Sequence, residues 1–211
     1  MCIRILSSVL MAILFQWPSA HAGQTSGGMF RWSQTRLSLA YMTFSGSETE
    51  SPSTNSVGYG GEVGIKLSGN YLGVIGKVRG LYIAGTEPFM DGASETDLTY
   101  TMMAAEPHLG FILNLIPGDS KGFKPYIGVT GFGGMLQLRF DSDDVTTLKP
   151  SESQFYSGFE AVAGVELYFR GSSPNLYSVF GEIALRQARL NIADKAPYFL
   201  DGLVLMGGFS F

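Results

Sequence analysis

The chain has 211 residues, of which 45% are hydrophobic and only 15% charged, and its mean hydropathy is +0.15. The low charge excludes intrinsic disorder, and a net charge of −4 with a pI of 5.2 excludes nucleic acid as a partner. Beyond the N-terminus no stretch approaches the about 20 consecutive apolar residues of a spanning helix, so the chain is apolar on average but nowhere continuously apolar.

Residues 1–22 read as a secretory signal. Arg4 supplies the positive region, 5–15 the apolar region, and Pro18 precedes the small-x-small cleavage pattern Ala20-His21-Ala22. The expected division is a signal peptide over 1–22 and one domain over 23–211. With the signal removed there is no cysteine and one histidine, His108, so disulfides and thiol chemistry are excluded.

The rest alternates polar and apolar residues, the pattern of strands with two unlike faces. Less regular alternation over 32–44 is followed by 59–67, where Tyr59, Val63, Ile65 and Leu67 oppose Glu62 and Lys66. Segments 72–84, 100–115 and 125–140 come next. In 155–169, Phe155, Phe159, Val165, Leu167 and Phe169 oppose Tyr156, Glu160, Glu166 and Tyr168. In 177–186, Tyr177, Val179, Ile183 and Leu185 oppose Ser178, Glu182 and Arg186. The last segment sets Phe199, Leu203, Leu205, Phe209 and Phe211 against Val204, Met206 and Ser210. This predicts eight strands, each near or above the 9–11 residues that cross a bilayer obliquely.

The connections alternate in length. Long polar stretches are expected at 45–58, 85–97, 141–153 and 187–197, and short breaks at 68–70, 116–124 and 170–175. Most carboxylates fall in or beside the long stretches. A transmembrane barrel sorts its loops this way, and closure satisfies every backbone polar group where water is absent. The predicted fold is therefore all-β, an eight-stranded antiparallel up-and-down transmembrane barrel.

Phe211 closes an alternating strand behind Phe209 and Leu205, and 124–133 reads Lys-Pro-Tyr-Ile-Gly-Val-Thr-Gly-Phe-Gly. The first resembles the signal read by the outer-membrane barrel-assembly machinery, the second the Pro-Tyr-x-Gly segment of small OmpA/OmpX-type barrels. That resemblance implies a Gram-negative outer membrane protein in contact with membrane lipid and lipopolysaccharide. It also implies the assembly machinery as a biogenesis partner, and a role in envelope integrity, adhesion or defence. No periplasmic peptidoglycan-binding domain follows Phe211, so a bare, monomeric barrel is expected.

With the apolar faces toward lipid, the lumen is expected to collect Glu62, Lys66, Lys77, Arg79, Glu106, His108, Arg139, Glu160, Glu166, Glu182 and Arg186. An eight-stranded barrel is only wide enough for side chains to fill it, and near-equal counts of the two signs predict a paired plug. Tyr59, Tyr71, Tyr82, Tyr126, Tyr168, Phe169, Tyr177, Tyr198 and Phe199 are expected in interfacial girdles. Glu106 and His108 share a lumenal face, but a lipid A hydrolase needs its site beside lipid and no His-x-Ser pair is present. Asp141-Ser142-Asp143-Asp144 lacks the glycine and distal glutamate of a calcium loop. No cofactor or metal is expected. The reading is a non-enzymatic barrel serving envelope structure, or binding an unidentified surface ligand through its loops. The alternatives are a narrow channel and a lipid A-modifying enzyme.

Overall fold

The computed structural model describes residues 32–44, 57–91, 94–116, 122–141, 151–170, 176–190 and 198–211. The expected signal, including Ala20 and Ala22, lies outside them, as do Ser142, Asp143 and Asp144. The strands are β1 (Trp32–Phe44), β2 (Val57–Ser68), β3 (Leu72–Asp91), β4 (Ser94–Asn114), β5 (Phe123–Asp141), β6 (Ser151–Arg170), β7 (Leu176–Leu190), β8 (Tyr198–Phe199) and β9 (Gly202–Ser210). Neighbours pair antiparallel, and β9 joins β7 to β1, which closes the ring. β8 and β9 are two pieces of one stave, because Arg189 faces Phe199 and Arg186 faces Gly202 in a single register. At the interruption Asp201 Oδ1 accepts the Ala188 amide at 3.0 Å, in place of a backbone carbonyl. The described residues thus form an eight-stave antiparallel barrel.

One row of paired residues runs around the whole ring. From Val165 it passes Gly181, Gly207, Leu39, Gly61, Gly80, Ala105 and Met135, and returns to β6 at Phe155. The return falls ten residues from the start (165 to 155), a stagger that tilts eight staves by about 40°. Between β4 and β5 the paired ladder is interrupted at Glu106 and Pro107, where proline has no N–H to give.

Side-chain direction follows parity. The exposed large apolar residues, among them Leu39, Leu109, Phe111, Met135, Leu185 and Phe209, stand on the outer face. Inside, the half of the lumen nearer the long connections is apolar, with Met42, Leu81, Ile83, Met102, Leu136 and Val204 in one buried cluster. The half nearer the short connections is mostly polar, with Ile75 and Ile112 buried among its charges.

Several expected loops are strand instead. Segment 85–97 was expected as a polar connection, but β3 and β4 stay paired through it as far as Asp91 opposite Ser94. β6 likewise starts at Ser151, and β7 runs to Leu190. Alternation is visible in sequence only where one face meets lipid; a ribbon with water on both sides has none.

Two lumenal glycines make room for tyrosines. Gly164 pairs with Tyr126 and Gly134 with Tyr156. A Cβ on Gly164 would lie 2.6 Å from the Tyr126 ring, and one on Gly134 2.8 Å from the Tyr156 ring. Each ring lies across its bare partner, the way an aromatic covers a strand glycine.

Candidate functional site: a lumenal ion-pair network

Ten of the eleven residues expected in the lumen are buried there: Glu62, Lys66, Lys77, Arg79, Glu106, His108, Glu160, Glu166, Glu182 and Arg186. Arg139 is the exception. The inward side chains of β5 are even-numbered (Lys124, Tyr126, Thr130, Phe132, Leu136), so Arg139 is exposed on the outer face.

The upper cluster centres on Arg79, which is fully buried. Its Nε donates to Glu62 Oε2 at 2.7 Å and its Nη2 to Glu160 Oε2 at 3.0 Å. Lys77 Nζ lies 2.8 Å from the same Glu62 oxygen, while Ser38 Oγ donates to Glu62 Oε1 at 2.7 Å. On the facing wall Arg186 grips Glu106 with two parallel bonds, Nη2 to Oε1 at 2.6 Å and Nη1 to Oε2 at 3.0 Å. Arg186 also reaches Glu160 Oε1 at 3.3 Å, and the Tyr156 hydroxyl donates to Glu106. Bidentate arginine–carboxylate contacts are the strong, geometrically specific kind.

The lower cluster lies toward the short connections. Arg36 Nη2 meets Glu182 Oε1 at 2.6 Å and the Tyr126 hydroxyl at 3.0 Å, and its guanidinium lies 3.6 Å from the Phe180 ring centroid. Lys66 pairs with Glu166. Glu166 also accepts from Ser178 Oγ at 2.6 Å, Ser210 Oγ at 3.1 Å and the Tyr168 hydroxyl at 2.7 Å. Between the two clusters is a small cavity bordered by Arg36, Ser38, Glu62, Gly64, Ile75, Lys77 and Phe180, with room for about one water.

Parity predicts that His108 lies beside Glu106, and its Nε2 is 3.2 Å from Glu106 Oε2. The ring stacks on Phe132 with centroids 4.8 Å apart. Both side chains are sealed inside, so the pair orders the plug and offers no face to an acyl chain.

Sequence reasoning missed Arg36 and Lys124 as lumenal charges and Tyr126, Tyr156 and Tyr168 as network members. Tyr126 and Tyr168 were expected in a girdle. Instead Tyr126 is buried in the lumen, and the Tyr168 hydroxyl turns inward to Glu166. The available signal was parity: Arg36 shares its face with Gln34 and Ser38, and Tyr126 shares its face with Lys124 and Thr130. Tyr59, Tyr71, Tyr82, Phe169 and Tyr177 are exposed, as a girdle requires.

An apolar outer belt, a closed ring of eight staves and a lumen filled by paired charge define the small outer-membrane type of β-barrel. Compared with protein-family descriptions and with curated protein sequences, the chain has no match. Solved structures do match its fold. The outer membrane protein OprG from Pseudomonas aeruginosa aligns over 84% of this chain and 93% of its own, at 14% identity and a TM-score of 0.53. Ail, the attachment invasion locus protein of Yersinia pestis, aligns over 84% of this chain and 94% of its own, at 12% identity and a TM-score of 0.42. The N-terminal β-barrel domain of OprF from Pseudomonas aeruginosa aligns over 84% and 97%, at 13% and 0.38. The OprG comparison establishes the shared fold.

Proposed function

We propose that this chain is a non-enzymatic outer membrane barrel whose sealed lumen makes it a rigid platform for the segments it holds outside the cell. The supporting observation is the cross-lumen network, in which Arg79 and Arg186 reach from opposite walls to the same Glu160 carboxylate. An apolar plug lies above it. A conducting path needs a continuous wet route, usually lined by one sign of charge; alternating charges bonded to one another oppose that. The role of the exterior is surface interaction or envelope integrity. The paired extension of β3 and β4 past Tyr82 and Met103, about 30 Å along the strands to Asp91, is the element best placed to carry it.

The test is electrical. Purified protein inserted into a planar lipid bilayer is expected to give no discrete conductance steps at moderate voltage. Reproducible single-channel steps that change size in an R79Q/E160Q variant would overturn the sealed-lumen reading in favour of a narrow channel.

A further inference from the structure

The described methionine side chains divide sharply by place. Met42, Met102 and Met206 are sealed in the lumen, at 0%, 5% and 5% exposure, whereas Met103 and Met135 stand on the outer face at 49% and 65%. These two are diagonal neighbours across the β4–β5 seam, because Met103 faces Gln137 while Met135 faces Ala105. Such a diagonal is about 7–8 Å, which long side chains span. Each is also the last apolar outward residue of its strand at the end where the long connections leave. Toward that end Thr101 and Thr99 follow on β4, and Gln137 and Arg139 on β5. Met103 lies opposite Tyr82, which sets it at the height of the aromatic girdle, where the belt first meets water. The other large exposed apolar residues are valine, isoleucine, leucine and aromatic residues, the types that suit a membrane-facing strand. Among the described side chains, then, a thioether is presented outward only by this pair.

We propose that Met103 and Met135 form an oxidant-accepting site at the outer edge of the belt, which consumes hypochlorous acid ahead of the tyrosine beside it. Hypohalous acids are the fitting class, because they oxidise thioethers much faster than peroxides do. The sulfur lone pair attacks the chlorine of the acid, which releases hydroxide and leaves a chlorosulfonium. Water then bonds to sulfur and chloride departs, with loss of two protons, one of which neutralises the hydroxide. In sum, one thioether and one hypochlorous acid give one sulfoxide, one chloride and one proton; sulfur is oxidised by two electrons and chlorine reduced by two. Sulfoxidation turns a flexible apolar side chain into a polar one. At girdle height the new oxygen reaches water, and it extends the polar rim of Thr101 and Gln137 by one outward position on each strand. The same oxygen on Met206, whose sulfur lies 3.3 Å from Arg79 Nη2, would have to fit inside a packed lumen. The outer pair therefore takes oxidation without loss of the fold. This site rests on the reading that the long connections face the outside of the cell.

The full chain would be inserted into nanodiscs of saturated phosphatidylcholine, whose chains do not react with the acid, and titrated with hypochlorous acid. Peptide mass spectrometry then follows each methionine and Tyr82. Met103 and Met135 are expected to form sulfoxide about tenfold ahead of Met42, Met102 and Met206. In M103L/M135L, chlorination of Tyr82 should begin at about a threefold lower dose, whereas M42L should leave that dose unchanged. Leucine conserves the volume of methionine, so both variants should insert. The inference is overturned by similar oxidation rates at all five methionines, or by unchanged Tyr82 chlorination in M103L/M135L. It is equally overturned if oxidation of Met103 and Met135 alone abolishes the difference in gel migration between unboiled and boiled protein. If the native chain shows that difference before oxidant is added but fails these tests, only this inference fails. If it never shows it, the barrel reading fails with it.

Discussion

Replacing Arg186 by methionine tests whether the lumenal charges hold the barrel together or merely occupy it. The guanidinium makes two bonds to Glu106, at 2.6 and 3.0 Å, and one to Glu160 at 3.3 Å. Glu160 keeps Arg79, but Glu106 is left with the Tyr156 hydroxyl, His108, and an Arg79 nitrogen 3.8 Å away. A buried carboxylate stripped of its main partner costs about 3–5 kcal/mol, a large share of the about 5–15 kcal/mol that holds a typical domain folded. Removing the charge from both partners leaves nothing unpaired, so R186M/E106Q should lie within about 2 kcal/mol of the native protein. Equilibrium urea unfolding in lipid vesicles, followed through Trp32 fluorescence, measures all three proteins. A loss below about 1 kcal/mol in R186M would refute the reasoning, as would a double variant less stable than R186M alone.

Gly164→Ala brings a methyl to within 2.6 Å of the Tyr126 ring, whereas Gly80→Ala points into open space on the outer face. The first should lower stability by about 1–3 kcal/mol and the second by less than about 1 kcal/mol, in the same unfolding assay. A closed barrel also resists detergent until heated. The unboiled protein should run at a different apparent size from the boiled one on a detergent gel; identical migration would contradict closure of β1 on β9.

Legibility of this fold in its sequence follows the membrane. Where lipid lies on one side, as along Phe159 to Phe169 or Leu203 to Phe211, the alternation of apolar and polar residues locates both the strand and its faces. Beyond the lipid the contrast vanishes, which is why the β3–β4 extension read as a loop. The site followed the same logic with one slip of phase. The charge of Arg139 suggests the lumen, although its odd-numbered neighbours Ile127, Val129 and Met135 face outward. Arg36 escaped notice because the outer face of β1 begins with Ser33 and Thr35, so its alternation only becomes apolar at Leu37. Tyr126 and Tyr168 depart from the girdle for a different reason. An aromatic near a strand end suits a girdle, and it takes the parity shared with Lys124 and Thr130, together with the bare Gly164 across from Tyr126, to show that the ring lies inward.

The span of the ion pairs along the chain sets how the barrel can form. Arg36 and Glu182 are 146 residues apart, Lys66 and Glu166 are 100, and Arg186 and Glu106 are 80. A hairpin or half-ring entering the bilayer would carry these charges inward without the staves that neutralise them. Partial structures therefore carry a penalty that is relieved only when the last stave meets the first. Folding becomes all-or-none: ring closure and charge neutralisation are one event, and a misregistered ring leaves buried charge unpaired.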